Sequence, residues 1–140
     1  VRPDQWRKVD YFSPDENWGD PAKMVPELVF ILDRLRGYLG VPIIVHCGYE
    51  PRDGKGYHPR GMAVDCHAVG LNVIQFFIGA MRFGFNGLGV YTWWNNPGLH
   101  LDVRPLPADG PRAIWGSLAK KMYVPFDLDF LQFATNDQSA

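Results

Sequence analysis

Residues 56–68, GYHPRGMAVDCHA, constrain this chain more than any other stretch. A glycine-rich loop ends at His58, Gly61 follows, and the apolar run over 62–69 carries Asp65 and His67 where a strand is expected. A strand's period of two sends Met62, Val64 and Cys66 to one face and Ala63, Asp65 and His67 to the other. Residues 99–104, LHLDVR, repeat the pattern, with Leu99, Leu101 and Val103 opposed to His100, Asp102 and Arg104. Two strands that each bury one face and present acid and imidazole on the other need helices over the apolar side. The expected fold class is therefore α+β: a small, mostly antiparallel sheet carrying a polar site, with helices on its apolar face.

A single histidine or aspartate in a strand is most often a solvated residue. Two strands with both residue types in the same alternation point to a metal. Zinc takes neutral imidazole and carboxylate donors, and a catalytic zinc keeps three protein ligands and one open position. His58, Asp65 and His100 fit that count and leave one net positive charge on the ion, enough to acidify a bound water. The same donors accept other first-row divalent ions, chosen by geometry and supply.

The segment His58, Gly61, Ala63, Asp65 also resembles the H-x-x-G-x-A-x-D motif of the zinc D-alanyl-D-alanine carboxypeptidase family. That family includes the VanX and VanY peptidases and phage L-alanyl-D-glutamate endolysins, with the hedgehog signalling domain as a relative. GLGVY and LHLDVRP resemble its second block, which implies His100 as third zinc ligand, and CGYEPR at 47–52 resembles its S-G-Y-R-S-P segment. The resemblance spans about residues 12–115. It implies a zinc-dependent peptidase that hydrolyses a bond at or next to a D-amino acid in bacterial cell-wall peptides. The implied partner is a peptidoglycan stem peptide or another D-Ala-containing peptide, in a periplasmic, extracellular or phage-associated setting.

Composition agrees with one domain over 1–140, large enough to bury most of its unfolded surface. With 46% hydrophobic and 14% aromatic residues the chain can build a substantial core, and a net charge of -1 supplies no basic field for nucleic acid. The longest apolar run, 71–81, is broken by Asn72 and Gln75 and is too short to span a bilayer. No signal peptide is visible ahead of Val1, so a leader removed earlier or a trimmed chain is expected. Two cysteines are too few for a disulfide scaffold. Alternation turns Cys66 away from Asp65 and groups Cys47 with Ile43 and Val45, so both are expected to be buried thiols, a bridge between neighbouring strands being the alternative.

Along the chain, 1–19 is expected to form an irregular arm whose aromatics pack on the domain. A helix is expected over 20–39, with Asp20 as cap and a break or fresh start at Pro26. A strand follows at 41–48, then a loop over 49–56. Asn72 is expected to cap a helix running to about 83, apolar nearly all round and therefore largely buried. Turn chemistry at 86–89 precedes a hairpin of strands 89–94 and 99–104, with Trp93 and Trp94 near its tip and closer to packing than to a substrate role. After Pro105 the chain reads as loop, and 134–140 is expected to fray.

Amide hydrolysis on zinc also requires a general base. Relatives supply one just before the third ligand, but Asn95, Asn96, Pro97, Gly98 and Leu99 contain no useful acid or base. Asp102, His67 and Glu50 are the remaining candidates, in that order; Asp102 can alternatively orient His100. The arginine that holds a substrate carboxylate or carbonyl oxygen in the resembling family is Glu50 here; Arg52, two positions on, is the candidate clamp if the loop is reshaped, an ordinary surface pair with Glu50 being the alternative. The missing upstream base supports an alternative to the enzyme: a non-catalytic, zinc-stabilised module binding cell-wall peptides or a protein partner. A structural virion part is a third reading.

Overall fold

The computed structural model describes residues 1–51 and 54–139. The elements in chain order are α1 (Pro3–Trp6), α2 (Pro26–Leu39), β1 (Ile43–Cys47), β2 (Ala63–Ala68), α3 (Val73–Ala80), β3 (Gly87–Tyr91), β4 (Gly98–Asp102), β5 (Ala113–Ala119), β6 (Met122–Pro125) and α4 (Leu128–Ser139). The six strands form one sheet in the order β1-β2-β4-β3-β5-β6. Every neighbouring pair is antiparallel except β3 and β5. The fold is thus α+β on a mostly antiparallel sheet.

The apolar face is covered by helices. Leu28, Leu32 and Leu35 of α2 and Phe76 and Phe77 of α3 pack with Val64, Cys66, Leu88, Val90, Leu99 and Leu101 of the sheet. Each such side chain contributes about 1.5–3 kcal/mol of burial, so this layer is what fixes which strand face remains for chemistry. Pro26 opens α2 at its first position, while Asp20 caps a separate 3-10 turn at Pro21–Lys23 by accepting from the Ala22 amide. The fresh start at Pro26 is therefore the structure adopted. Asn72 caps α3 reciprocally: its Oδ1 accepts from the Gln75 amide, and the Gln75 Oε1 accepts from the Asn72 amide. Ile78 points to solvent, so α3 is less enclosed than its composition suggests, and it stops at Ala80 rather than near 83.

The N-terminal arm is not wholly irregular, since Pro3–Trp6 makes one helical turn. Trp18 is fully buried against Trp6 and Phe12 and donates its indole N–H to the Ser13 carbonyl at 2.7 Å. The Trp18 carbonyl in turn accepts from the Tyr49 amide at 2.6 Å. The arm therefore clamps the backbone between β1 and His58.

Three expectations need correction. Gly87 and its neighbours are strand, not turn, because their small residues let β3 lie close beneath bulky groups from β4 and β5. The chain after Pro105 is not all loop: it adds β5, parallel to β3, then β6 and α4. Cys47 does not share a face with Ile43 and Val45. Register shifts between Val45 and Cys47, making His46 the extra residue of a bulge and setting Cys47 opposite Asp65.

Candidate metal centre

The register of β2 on β4 sets Asp65 directly opposite His100 and Ala63 opposite Asp102. Side chains that alternate to the polar face of each strand are thereby neighbours across the ladder. His100 Nδ1 lies 3.1 Å from Asp65 Oδ1, and His58 Nε2 lies 3.3 Å from the same oxygen. The two imidazole rings stand edge to face with centroids 5.3 Å apart.

His58 reaches this point from a 3-10 turn at His58–Arg60 that closes on Gly61. Gly61 has φ +67°, and a Cβ there would collide with the Lys23 carbonyl. A side chain at position 61 would push the whole turn, and His58 with it, off the sheet. The ring is oriented by its other nitrogen: Nδ1 lies 2.8 Å from the Gly48 carbonyl, so it donates there and Nε2 is left facing Asp65.

His100 is oriented in the same manner. Its Nε2 donates to Asp102 Oδ2 at 2.7 Å, on the opposite edge of the ring from Asp65. Asp102 has no solvent exposure, and Arg104 grips it through Nε at 2.9 Å to Oδ1 and Nη2 at 2.7 Å to Oδ2. Room for that carboxylate comes from Gly87, where a Cβ would overlap it.

Cys47, His58 and Asp65 form a group whose ligand atoms lie within 4.8 Å of one another and can hold a divalent metal such as Zn2+. The thiol, 3.2 Å from Glu50 Oε2, sits 3.8 Å from His58 Nδ1, the nitrogen already engaged by Gly48. Neither cysteine is in a disulfide, and Cys66 is buried in the core, where burial pushes its thiol pKa well up. Sulfur, nitrogen and carboxylate oxygen are all zinc donors, so the residues present fit that ion.

The remaining sequence candidates are dispersed. His67 lies beyond the site on β2, its Nδ1 meeting His46 Nε2 at 2.5 Å, with Trp94 packed on His46. Arg52 lies outside the described residues. Glu50 lines the same cleft as the histidines, its Oε2 against the Cys47 thiol.

That cleft, about 880 Å³, is bordered by His58, Asp65 and His100 at its floor and by Tyr91, Trp93, Trp94, Trp115 and Tyr123 along its wall. Tyr91 and Trp94 stack with centroids 4.3 Å apart. Trp93, exposed rather than packed inward, donates to Ser117 Oγ at 2.8 Å. The wall is the part that sequence reasoning missed. Its signal was the recurrence of aromatics at Tyr91, Trp93, Trp115 and Tyr123, two of them on strands unrecognised beforehand.

The electrostatics follow from the geometry. Burial disfavours the charged form of His58, yet the Asp65 carboxylate and the Cys47 contact carry its pKa up to about 9. Burial likewise opposes charge on His100, while Asp102 and Asp65 raise it to about 8. Burial alone would raise Asp65, but the two histidines hold it well below the usual carboxylate range. Below about pH 8 this arrangement favours an Asp65 carboxylate between two protonated imidazole rings, which a bound metal would have to deprotonate.

No family model, curated protein or solved structure matches the chain.

Proposed function

We propose that this chain is a zinc-holding module whose cleft binds peptides of the bacterial cell wall, without obligatory hydrolysis. His58 through Nε2, Asp65 through Oδ1 and His100 through Nδ1 would hold the metal, with Cys47 alongside. The observation that supports binding over catalysis is the burial of Asp102 behind His100, bonded on every side to His100 and Arg104. A general base must reach the reacting proton; Asp102 instead acts as a positioning residue that sets the tautomer and angle of His100. Asp102→Asn is accordingly expected to weaken zinc binding by about 10–100-fold, measured by chelator competition. Affinity unchanged from wild type would remove the positioning role.

One feature favours a second reading, a peptidase of the D-alanyl-D-alanine carboxypeptidase type. Among the described residues the only carboxylates lining the cleft are Asp65 and Glu50, so Glu50 is the acid placed to take a proton beside the histidines. A metal held here would polarise a carbonyl and acidify water. Glu50 would accept the proton, and the aromatic wall would orient the peptide and exclude solvent.

Mass spectrometry and binding titrations on zinc-loaded protein with defined muropeptides separate the two. Saturable binding with no new products is the expected result. Products formed by wild type and lost in Glu50→Gln would establish the peptidase, and absence of binding by every tetra- and pentapeptide would overturn the peptide reading.

A further inference from the structure

Resting on the peptide reading just given, we propose that the Lys120–Lys121 turn is the receptor for a carboxylate of the bound peptide. β5 and β6 are joined by these two residues alone, since Ala119 pairs with Met122. Lys121 has φ +62° and is the only non-glycine residue with positive φ among those described. Two-residue hairpin turns favour glycine or asparagine at such positions. A lysine held there is carried at a conformational cost, the kind of backbone feature that accompanies a functional constraint.

The turn is also aimed. A register irregularity between Ser117 and Ala119 bends β5 just before it, and Ser117 Oγ donates to the Ala119 carbonyl at 3.1 Å while accepting from the Trp93 indole. The hairpin end is thereby tied to the aromatic wall, and both lysines line the cleft. Neither lysine hydrogen-bonds or ion-pairs with a described residue.

Charge complementarity selects the ligand. The chain carries a net charge of -1, yet the cleft is lined by the cations Lys55, Arg104, Lys120 and Lys121 against the carboxylates Glu50 and Asp65. Arg104 is already committed to Asp102. The lysine turn adds an exposed ammonium pair to the lining, able to attract an anionic peptide from a distance and to hold its carboxylate at close range.

The test uses the zinc-loaded protein and the pentapeptide N-acetyl-L-Ala-γ-D-Glu-L-Lys-D-Ala-D-Ala in three forms: both carboxylates free, the C-terminus amidated, and the D-glutamyl carboxylate amidated. Kd is read from tryptophan fluorescence in wild type and in Lys120→Gln/Lys121→Gly, the glycine being suited to the turn. Removing the docked carboxylate is expected to weaken wild-type binding about tenfold, as for a charged contact at a partly solvated site. The variant is expected to lose that factor against the free acid and nothing against the corresponding amide, which identifies whether the terminal or the glutamyl group docks. A variant that binds the diacid as tightly as wild type overturns the lysine assignment while leaving the peptide reading in place. Wild type that binds none of the three peptides overturns both.

Discussion

Replacing Asp65 by asparagine is expected to lower zinc affinity by at least about a thousandfold, or about 4 kcal/mol, with the fold retained. Asp65 Oδ1 lies 3.1 Å from His100 Nδ1 and 3.3 Å from His58 Nε2, so it is the point on which the two imidazoles converge. Asparagine keeps the shape of the side chain and its place in the β2–β4 ladder. It removes the anion that neutralises the cation and leaves an amide oxygen, a far poorer zinc donor. Cys47 and His100 would remain, but neither supplies the missing link between the loop carrying His58 and the strand carrying His100. The measurement is chelator competition, with circular dichroism and thermal unfolding as the fold control. Zinc held within tenfold of wild type would exclude Asp65 from the site.

The central part of this site was legible because it depends on a two-residue period. Once β2 and β4 are read as half-buried strands, Asp65 and His100 must share a face, and register then decides only that they stand opposite. His58 was legible by its spacing to Gly61 and Asp65, and the reason for that glycine is the close approach of the Lys23 carbonyl. Cys47 was not legible, because one extra residue in a bulge reverses the face of everything beyond it and leaves no mark on composition. Asp102 shows a different limit. Alternation placed it on the polar face, but whether a polar-face carboxylate is open to the cleft or sealed behind His100 depends on Gly87 and Arg104, whose approach is a tertiary matter. The strands β5 and β6 escaped notice because Gly116 and Ser117 interrupt the one and Pro125 ends the other. β5 is held by pairing with β3, and β6 by pairing with β5, rather than by local preference. With them went the turn at Lys120 and two of the five wall aromatics, Trp115 and Tyr123.

Zinc affinity is expected to climb steeply with pH well above the range in which ordinary histidines titrate. In the metal-free protein the His58 pKa stands at about 9 and that of His100 at about 8, burial opposing both shifts and the facing carboxylates overcoming it. With His58, Asp65 and His100 as ligands and the Cys47 thiol outside the coordination sphere, metal binding requires both rings neutral at the coordinating nitrogen and so expels two protons below pH 8 and one between 8 and 9. Apparent affinity should therefore rise about 100-fold per pH unit below pH 8, about tenfold over the next unit, and level off above it. Unperturbed imidazoles would reach that plateau near pH 6.5. Stability of the metal-free protein should move the opposite way. A histidine whose folded pKa is raised contributes fully below its unfolded value and loses that contribution as pH rises through the folded one. Asp65, depressed in the fold, contributes above its unfolded value and loses it on acidification. The metal-free protein is then most stable between about pH 4 and 6.5, whereas the zinc-loaded protein gains with pH to about 9. Melting curves taken with and without zinc should diverge progressively from pH 6 to 9. Parallel curves over that range would mean that His58 and His100 do not give up their protons to the metal, and the donor set would have to be drawn from other residues.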